Sequence, residues 1–208
     1  MKKNFYILVF AMMLSFVASA QRFEYQLGLK GGLGFAFLGS NDDNIVNKDN
    51  GLCYKFGFTG VYYFYENYGI TSGFNIIGHD VSYKLKIANT ENPESYSIVS
   101  RNLKNTYCQV PILLKMRTDP FADRYRVFGE IGYGLNFFVS EQDKYDSNHS
   151  YRDVCSSFIL HLGMEMEVLN RSTLLFSIGY DKFFSNLMSS GNEKMTLSNV
   201  CFEIGFLF

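Results

Sequence analysis

Along Tyr25 to Phe37 the apolar residues Tyr25, Leu27, Leu29, Leu33, Phe35 and Phe37 take alternate positions, with Gln26, Gly28, Lys30, Gly32 and Gly34 between them. A period of two describes a strand whose two faces meet different surroundings. Seven more segments follow the rule: Leu52 to Phe64, Tyr68 to about Lys86, about Ile98 to Met116, Tyr125 to Val139, Val154 to Val168, Ser172 to about Phe184, and Val200 to Phe208. The last reads VCFEIGFLF, with Val200, Phe202, Ile204, Phe206 and Phe208 on one face. A strand that closes a barrel in an outer membrane can end a chain this way, because lipid covers the aromatic face.

The connections alternate in length. Tyr65 to Asn67, Arg117 to Arg124 (with Asp119-Pro120) and Leu169 to Arg171 are short. Gly39 to Gly51, about Ile87 to Ser97, Ser140 to Asp153 and Ser185 to Asn199 are longer and polar. Short periplasmic turns and long outer loops are the habit of outer-membrane barrels, and an even strand count leaves both termini in the periplasm. The expected fold is therefore all-β: one eight-stranded, antiparallel, up-and-down transmembrane β-barrel. A three-residue turn at Tyr65 to Asn67 would pair Phe64 with Tyr68, Tyr62 with Ile70 and Phe58 with Phe74, all on the outward face. Tyr62, Phe64, Tyr68 and Tyr125 would join an aromatic girdle. Soluble sandwiches and lipocalin-like barrels also alternate, but they turn the apolar face inward and carry charge outside. Here the polar face is poor in charge and rich in glycine, which suits a narrow, crowded lumen.

Residues 1–20 read as a signal peptide: Lys2 and Lys3, an apolar run from Phe5 to Val17, then Ala18-Ser19-Ala20. The apolar run is shorter than a spanning helix needs. Residues 21–208 form the barrel domain, and no Cys follows the expected cleavage to mark a lipid anchor. Without Lys2 and Lys3 the chain keeps 17 basic and 20 acidic residues, a balance that does not suggest nucleic acid. The 15 Tyr, 21 Phe and 18 Gly with only 3 Pro fit a β-rich chain. Cys53, Cys108, Cys155 and Cys201 lie inside strands without metal spacing and read as free thiols, although an oxidising route permits disulfides.

Thr106 to Lys115 (TYCQVPILLK) followed by Val127 to Gly134 (VFGEIGYG) resembles the PorT-like outer-membrane β-barrel family of Bacteroidetes, often called the porin family. Its Tyr-x-(Glu/Gln)-(Ile/Val)-Pro-x-Leu-x-Lys strand is matched from Tyr107 to Lys115. The resemblance spans Gln21 to Phe208 and implies an outer-membrane protein. In some relatives it implies an accessory part of a secretion and gliding machine.

The inward charges are Lys30, Lys55, Lys115, Arg126, Glu130, His161, Glu165, Glu167, Asp181 and Glu203. Lys30, Lys115, Arg126, Glu130, His161, Glu165, Glu167 and Glu203 make the candidate lumen cluster, with Lys30 and Glu203 as seam partners. Buried charge is costly unless paired, so an ionic plug is expected. Leu113, Phe128, Phe138, Ile159, Leu175 and Phe183 would fill the remaining space. His161 and Glu165 form the inward His/carboxylate set, about 13 Å apart along one strand and too far for a dyad. His149 with Asp146 and Asp153 shows no catalytic order. No enzyme activity, cofactor or metal is expected. The expected partners are outer-membrane lipid, the barrel-assembly machinery that reads Phe208, and secretion-machine or surface proteins. A non-catalytic barrel acting through loops or partners leads, with a narrow solute channel through the glycine-lined interior as the alternative.

Overall fold

A computed structural model of the chain describes residues 24–40, 45–48, 50–89, 92–141, 153–169, 172–184 and 195–208. The signal peptide and its cleavage point lie outside these residues, as does the loop carrying Asp146 and His149. Nine strands follow one another: β1 Glu24–Ser40, β2 Ile45–Lys48, β3 Gly51–Tyr65, β4 Tyr68–Asn89, β5 Asn92–Arg117, β6 Tyr125–Glu141, β7 Val154–Leu169, β8 Ser172–Phe183 and β9 Met195–Leu207. Eight of them close an antiparallel barrel in the order β1-β3-β4-β5-β6-β7-β8-β9, with β9 returning to β1. The seam runs from Gly28 opposite Leu207 to Ser40 opposite Met195.

The alternation translates directly into two walls. Leu33, Phe58, Leu162 and Phe202 are more than half exposed, whereas Lys55, Lys115, Glu130 and Glu203 are buried. A water-soluble protein would not be stable with so much aromatic surface outside, so the cover must be lipid. No helix among the described residues is long and apolar enough to cross a membrane; the strands do the crossing.

One end of the barrel carries Glu24, Phe208 and the short turns. At that end Asn67 Nδ2 donates to Asp119 Oδ1 at 2.7 Å, tying the β3–β4 and β5–β6 turns together. At the other end β4 and β5 run on as a hairpin. An outward ion pair, Asp80 with Lys104 at 2.9 Å, marks where the wall stops being apolar. From Tyr68 to Asp80 is roughly 40 Å of strand, or roughly 30 Å along a tilted axis, enough to hold a lipid band of about 25 Å. Beyond it β4 and β5 stay paired from Val81 opposite Leu103 to Asn89 opposite Asn92, and β2 adds to β4 at Tyr83 to Leu85.

Four sequence expectations need correction. Ile87 to Asn89 and Asn92 to Ser97, expected as loop, are paired strand, and residues 195–199 belong to β9. The expected loop from Gly39 to Gly51 contains β2, which satisfies part of the projecting edge of β4. At the β3–β4 turn Tyr65, not Phe64, faces Tyr68, because an irregularity between Tyr63 and Tyr65 inserts one residue. Tyr62 opposite Ile70 and Phe58 opposite Phe74 are as the alternation requires.

Pro111 sits inside β5 and has no N–H to give the ladder. The β4–β5 register skips Gly73 and Phe74 there, and the Ser72 hydroxyl donates to the Pro111 carbonyl at 2.9 Å.

Candidate functional site: the ionic lumen

The interior is stacked in tiers. Towards the turn end, Val61, Tyr63, Phe128, Leu175 and Leu207 form an apolar cluster. Towards the hairpin end, Tyr107 packs against Phe183 and Phe138 with ring centres 5.4 and 5.7 Å away, and His79 meets Phe183 at 5.7 Å. Leu38, Val81, Leu103, Met195 and Leu197 continue that cluster. Between these two apolar plugs lies the charge.

Every charged side chain in the middle tier has a counter-charge. Lys30 reaches Glu203 at 2.7 Å across the seam and Glu130 at 3.8 Å. Lys55 bonds Asp181 at 3.1 Å and Glu203 at 3.2 Å. Lys115 lies 2.7 Å from Glu165 and 3.4 Å from Glu130, with its ammonium 4.3 Å from the centre of the Phe128 ring. His161 Nδ1 stands 2.9 Å from Glu130 and 3.2 Å from Lys30 Nζ. Thr71 and Tyr63 donate to Glu130 and Glu165 at 2.9 and 3.4 Å. Lys30, Lys55, Lys115 and Arg117 thus balance Glu130, Glu165, Asp181 and Glu203. An amide layer adjoins them: Asn75 donates to Gln109, Gln109 to Asn136, and Asn136 to Ser157, at 3.3, 3.0 and 2.9 Å.

The strand from Tyr107 to Arg117 shows how the sequence builds this. Tyr107, Gln109, Pro111, Leu113, Lys115 and Arg117 all point inward. Tyr107 enters the aromatic tier, Gln109 the amide layer and Lys115 the carboxylates. The motif that carries the family resemblance is therefore a lumen-filling stripe.

Of the eight residues in the sequence-read cluster, Lys30, Lys115, Glu130, His161, Glu165 and Glu203 converge. Arg126 and Glu167 do not join the buried network. They line a small mouth of about 90 Å³ at the turn end with Glu24, Gln26, Arg117 and Arg124. The carboxylate partner of His161 is Glu130, directly opposite on β6, not Glu165 on its own strand. Arg117 is a member that sequence reading missed. It lies 3.0 Å from Glu24 and 3.8 Å from Glu165, and its guanidinium carbon is 3.7 Å from the Tyr63 ring centre. Counting two residues on from Lys115 would have placed it inward.

A Cβ at Gly57 or Gly132 would collide with the carbonyl oxygen of Phe74 or Ile112 on the neighbouring strand. At these positions glycine permits the close approach of neighbouring strands.

A lipid-facing eight-stranded wall around a filled, charge-balanced interior defines a small outer-membrane barrel. The chain belongs to the outer membrane protein beta-barrel domain family, whose family model matches residues 7–208. Its place is thus the outer membrane. No curated protein matches the chain by sequence. Among solved structures it is similar to the outer membrane protein OprG of Pseudomonas aeruginosa, at 10% identity over 88% of this chain and 95% of that one, TM-score 0.52. It also resembles Neisserial surface protein A, at 8% identity over 86% and 95%, TM-score 0.49. At 10% identity the likeness to the Pseudomonas protein shows the fold alone.

Proposed function

We propose that the protein is a non-conducting, non-catalytic barrel that acts through the sheet projecting from its hairpin end. The observation that carries this reading is the pairing of a closed interior with a long external hairpin. The two apolar plugs and the balanced ionic tier fill much of the lumen, which supports a barrel that does not conduct, since an eight-strand interior is only wide enough for side chains. Outside, β4 and β5 extend from Asp80 to Asn89 and back, about 30 Å of strand, widened by β2. A structure of that size costs ordering entropy and serves nothing in the lipid, so its use is surface contact.

In this reading both termini lie in the periplasm and the hairpin faces outward. The match from Tyr107 to Lys115 supports a place among PorT-like members, some of which serve a secretion machine. Catalysis is disfavoured because His161 and Glu130 are sealed inside the wall, out of reach of any substrate.

Shortening the hairpin between Ser82 and Asn102 with a two-residue turn tests the proposal. The trimmed barrel should still show heat-modifiable gel migration but fail to restore the envelope phenotype of a deletion strain that the full protein restores. In planar bilayers, pure wild-type protein and Glu203→Ala should both give only leak. Discrete, reproducible openings from the wild type would make solute transport the function instead.

A further inference from the structure

Gly34 of β1 lies opposite Cys53 of β3 on one side and opposite Cys201 of β9 on the other. All three positions face the lumen. Glycine puts no side chain between the thiols, and the two Sγ atoms meet above it at 2.7 Å, closer than two sulfurs rest without a bond. Both residues are buried at the floor of the hairpin-end plug. The approach is enforced from below as well: a Cβ at Gly34 would sit against the Val200 carbonyl and 2.6 Å from the Cys201 Cα. None of the four cysteines is disulfide-bonded in this structure. Cys108 occupies an outward position on β5, away from the pair.

We propose that Cys53 and Cys201 become a disulfide in the mature protein, a staple laid over β1 that ties β3 to the last strand. An outer-membrane protein passes through an oxidising compartment. The oxidant is a protein disulfide of the thiol–disulfide exchange class. The Cys53 thiolate attacks it before the barrel closes, giving a mixed disulfide and freeing one donor sulfur. When β9 docks beside β1, the Cys201 thiolate attacks Cys53 Sγ. The Cys53–Cys201 bond forms, the bond to the donor breaks, and the donor leaves as a dithiol carrying both protons and both electrons. The bond joins residues 148 positions apart. It thereby locks the seam where the first and last strands meet, which the hydrogen bonds there can only hold reversibly.

Protein extracted from its native outer membrane without reductant would be denatured and alkylated with a light reagent. It would then be reduced and alkylated with a heavy one, and its peptides mapped. Cys53 and Cys201 should carry only the heavy label, and Cys108 and Cys155 only the light. An unreduced digest should contain a linked Cys53–Cys201 peptide lighter by two hydrogens than its parts. In Cys201→Ser, Cys53 should move to the light label, a result readable in denaturant whether or not that variant inserts. Light label on all four wild-type cysteines, a linked peptide containing Cys155, or release of the pair by a chelator without reductant would each overturn the proposal.

Discussion

Lys30 and Lys55 reach Glu203 from two sides, at 2.7 and 3.2 Å, so one carboxylate serves two ammonium groups. Glu203→Gln keeps the shape and removes the charge, leaving Lys30 with Glu130 at 3.8 Å and Lys55 with Asp181 alone. Breaking a buried pair costs about 3–5 kcal/mol, because the survivor stays desolvated. Urea unfolding of the variant in lipid vesicles should show a loss of that order. Little change would mean that water already reaches this tier. A smaller effect of opposite sign is expected at Ala122, which holds φ 47° in the β5–β6 turn. The left-handed region is unfavourable for a residue with a Cβ. Ala122→Gly should therefore stabilise the protein by about 0.5–1 kcal/mol in the same assay. Sequence alone could name the inward residues, since direction follows parity along each strand. It could not pair His161 with Glu130, because that contact exists only once β6 and β7 are in register.

At the scale of strands, legibility depended on lipid. Where a strand crosses the membrane its faces differ, and period two is visible. In the projecting hairpin β4 keeps a buried face as far as Tyr83, but on β5 Ser97, Ile98, Val99 and Ser100 are exposed in succession. The alternation disappears there, and the sequence reading starts the strand at about Ile98 although β5 begins at Asn92. Glycine use along β1 gives a test at this scale. Gly31 faces outward, and a Cβ on it would find its nearest neighbour at 3.8 Å. Gly34 faces inward, and a Cβ on it would strike the backbone of β9. Gly31→Ala should fold with unchanged heat-modifiable migration, while Gly34→Ala should leave most of the protein in the slow, open form. Equal behaviour of the two variants would contradict the close seam between β1 and β9.

For the whole molecule the decisive event is closure, because the barrel wall keeps no edge once β9 meets β1. The chain's last residue takes part in it twice. Its backbone N–H donates to the Leu27 carbonyl at 2.7 Å, its carbonyl accepts from the Leu27 N–H at 3.2 Å, and its ring is 61% exposed on the lipid face. These roles separate under mutation. Phe208→Ala keeps both backbone bonds and loses only the apolar anchor, whereas deleting Phe208 removes the last rung of the seam as well. If the terminal strand is read mainly through its aromatic end, the two variants should lose insertion equally, and spontaneous folding into vesicles should be nearly normal for Phe208→Ala. If closure itself needs the last rung, the deletion should also fold more slowly in vesicles that contain no assembly machinery. Because the two bonds at Leu27 form the last rung of the seam, one residue beyond Leu207 of the turn-end plug, we expect the second result. Comparing folding in bare vesicles with insertion in cells decides it. A deletion that folds as fast as wild type in vesicles would show that Phe208 matters only as a signal.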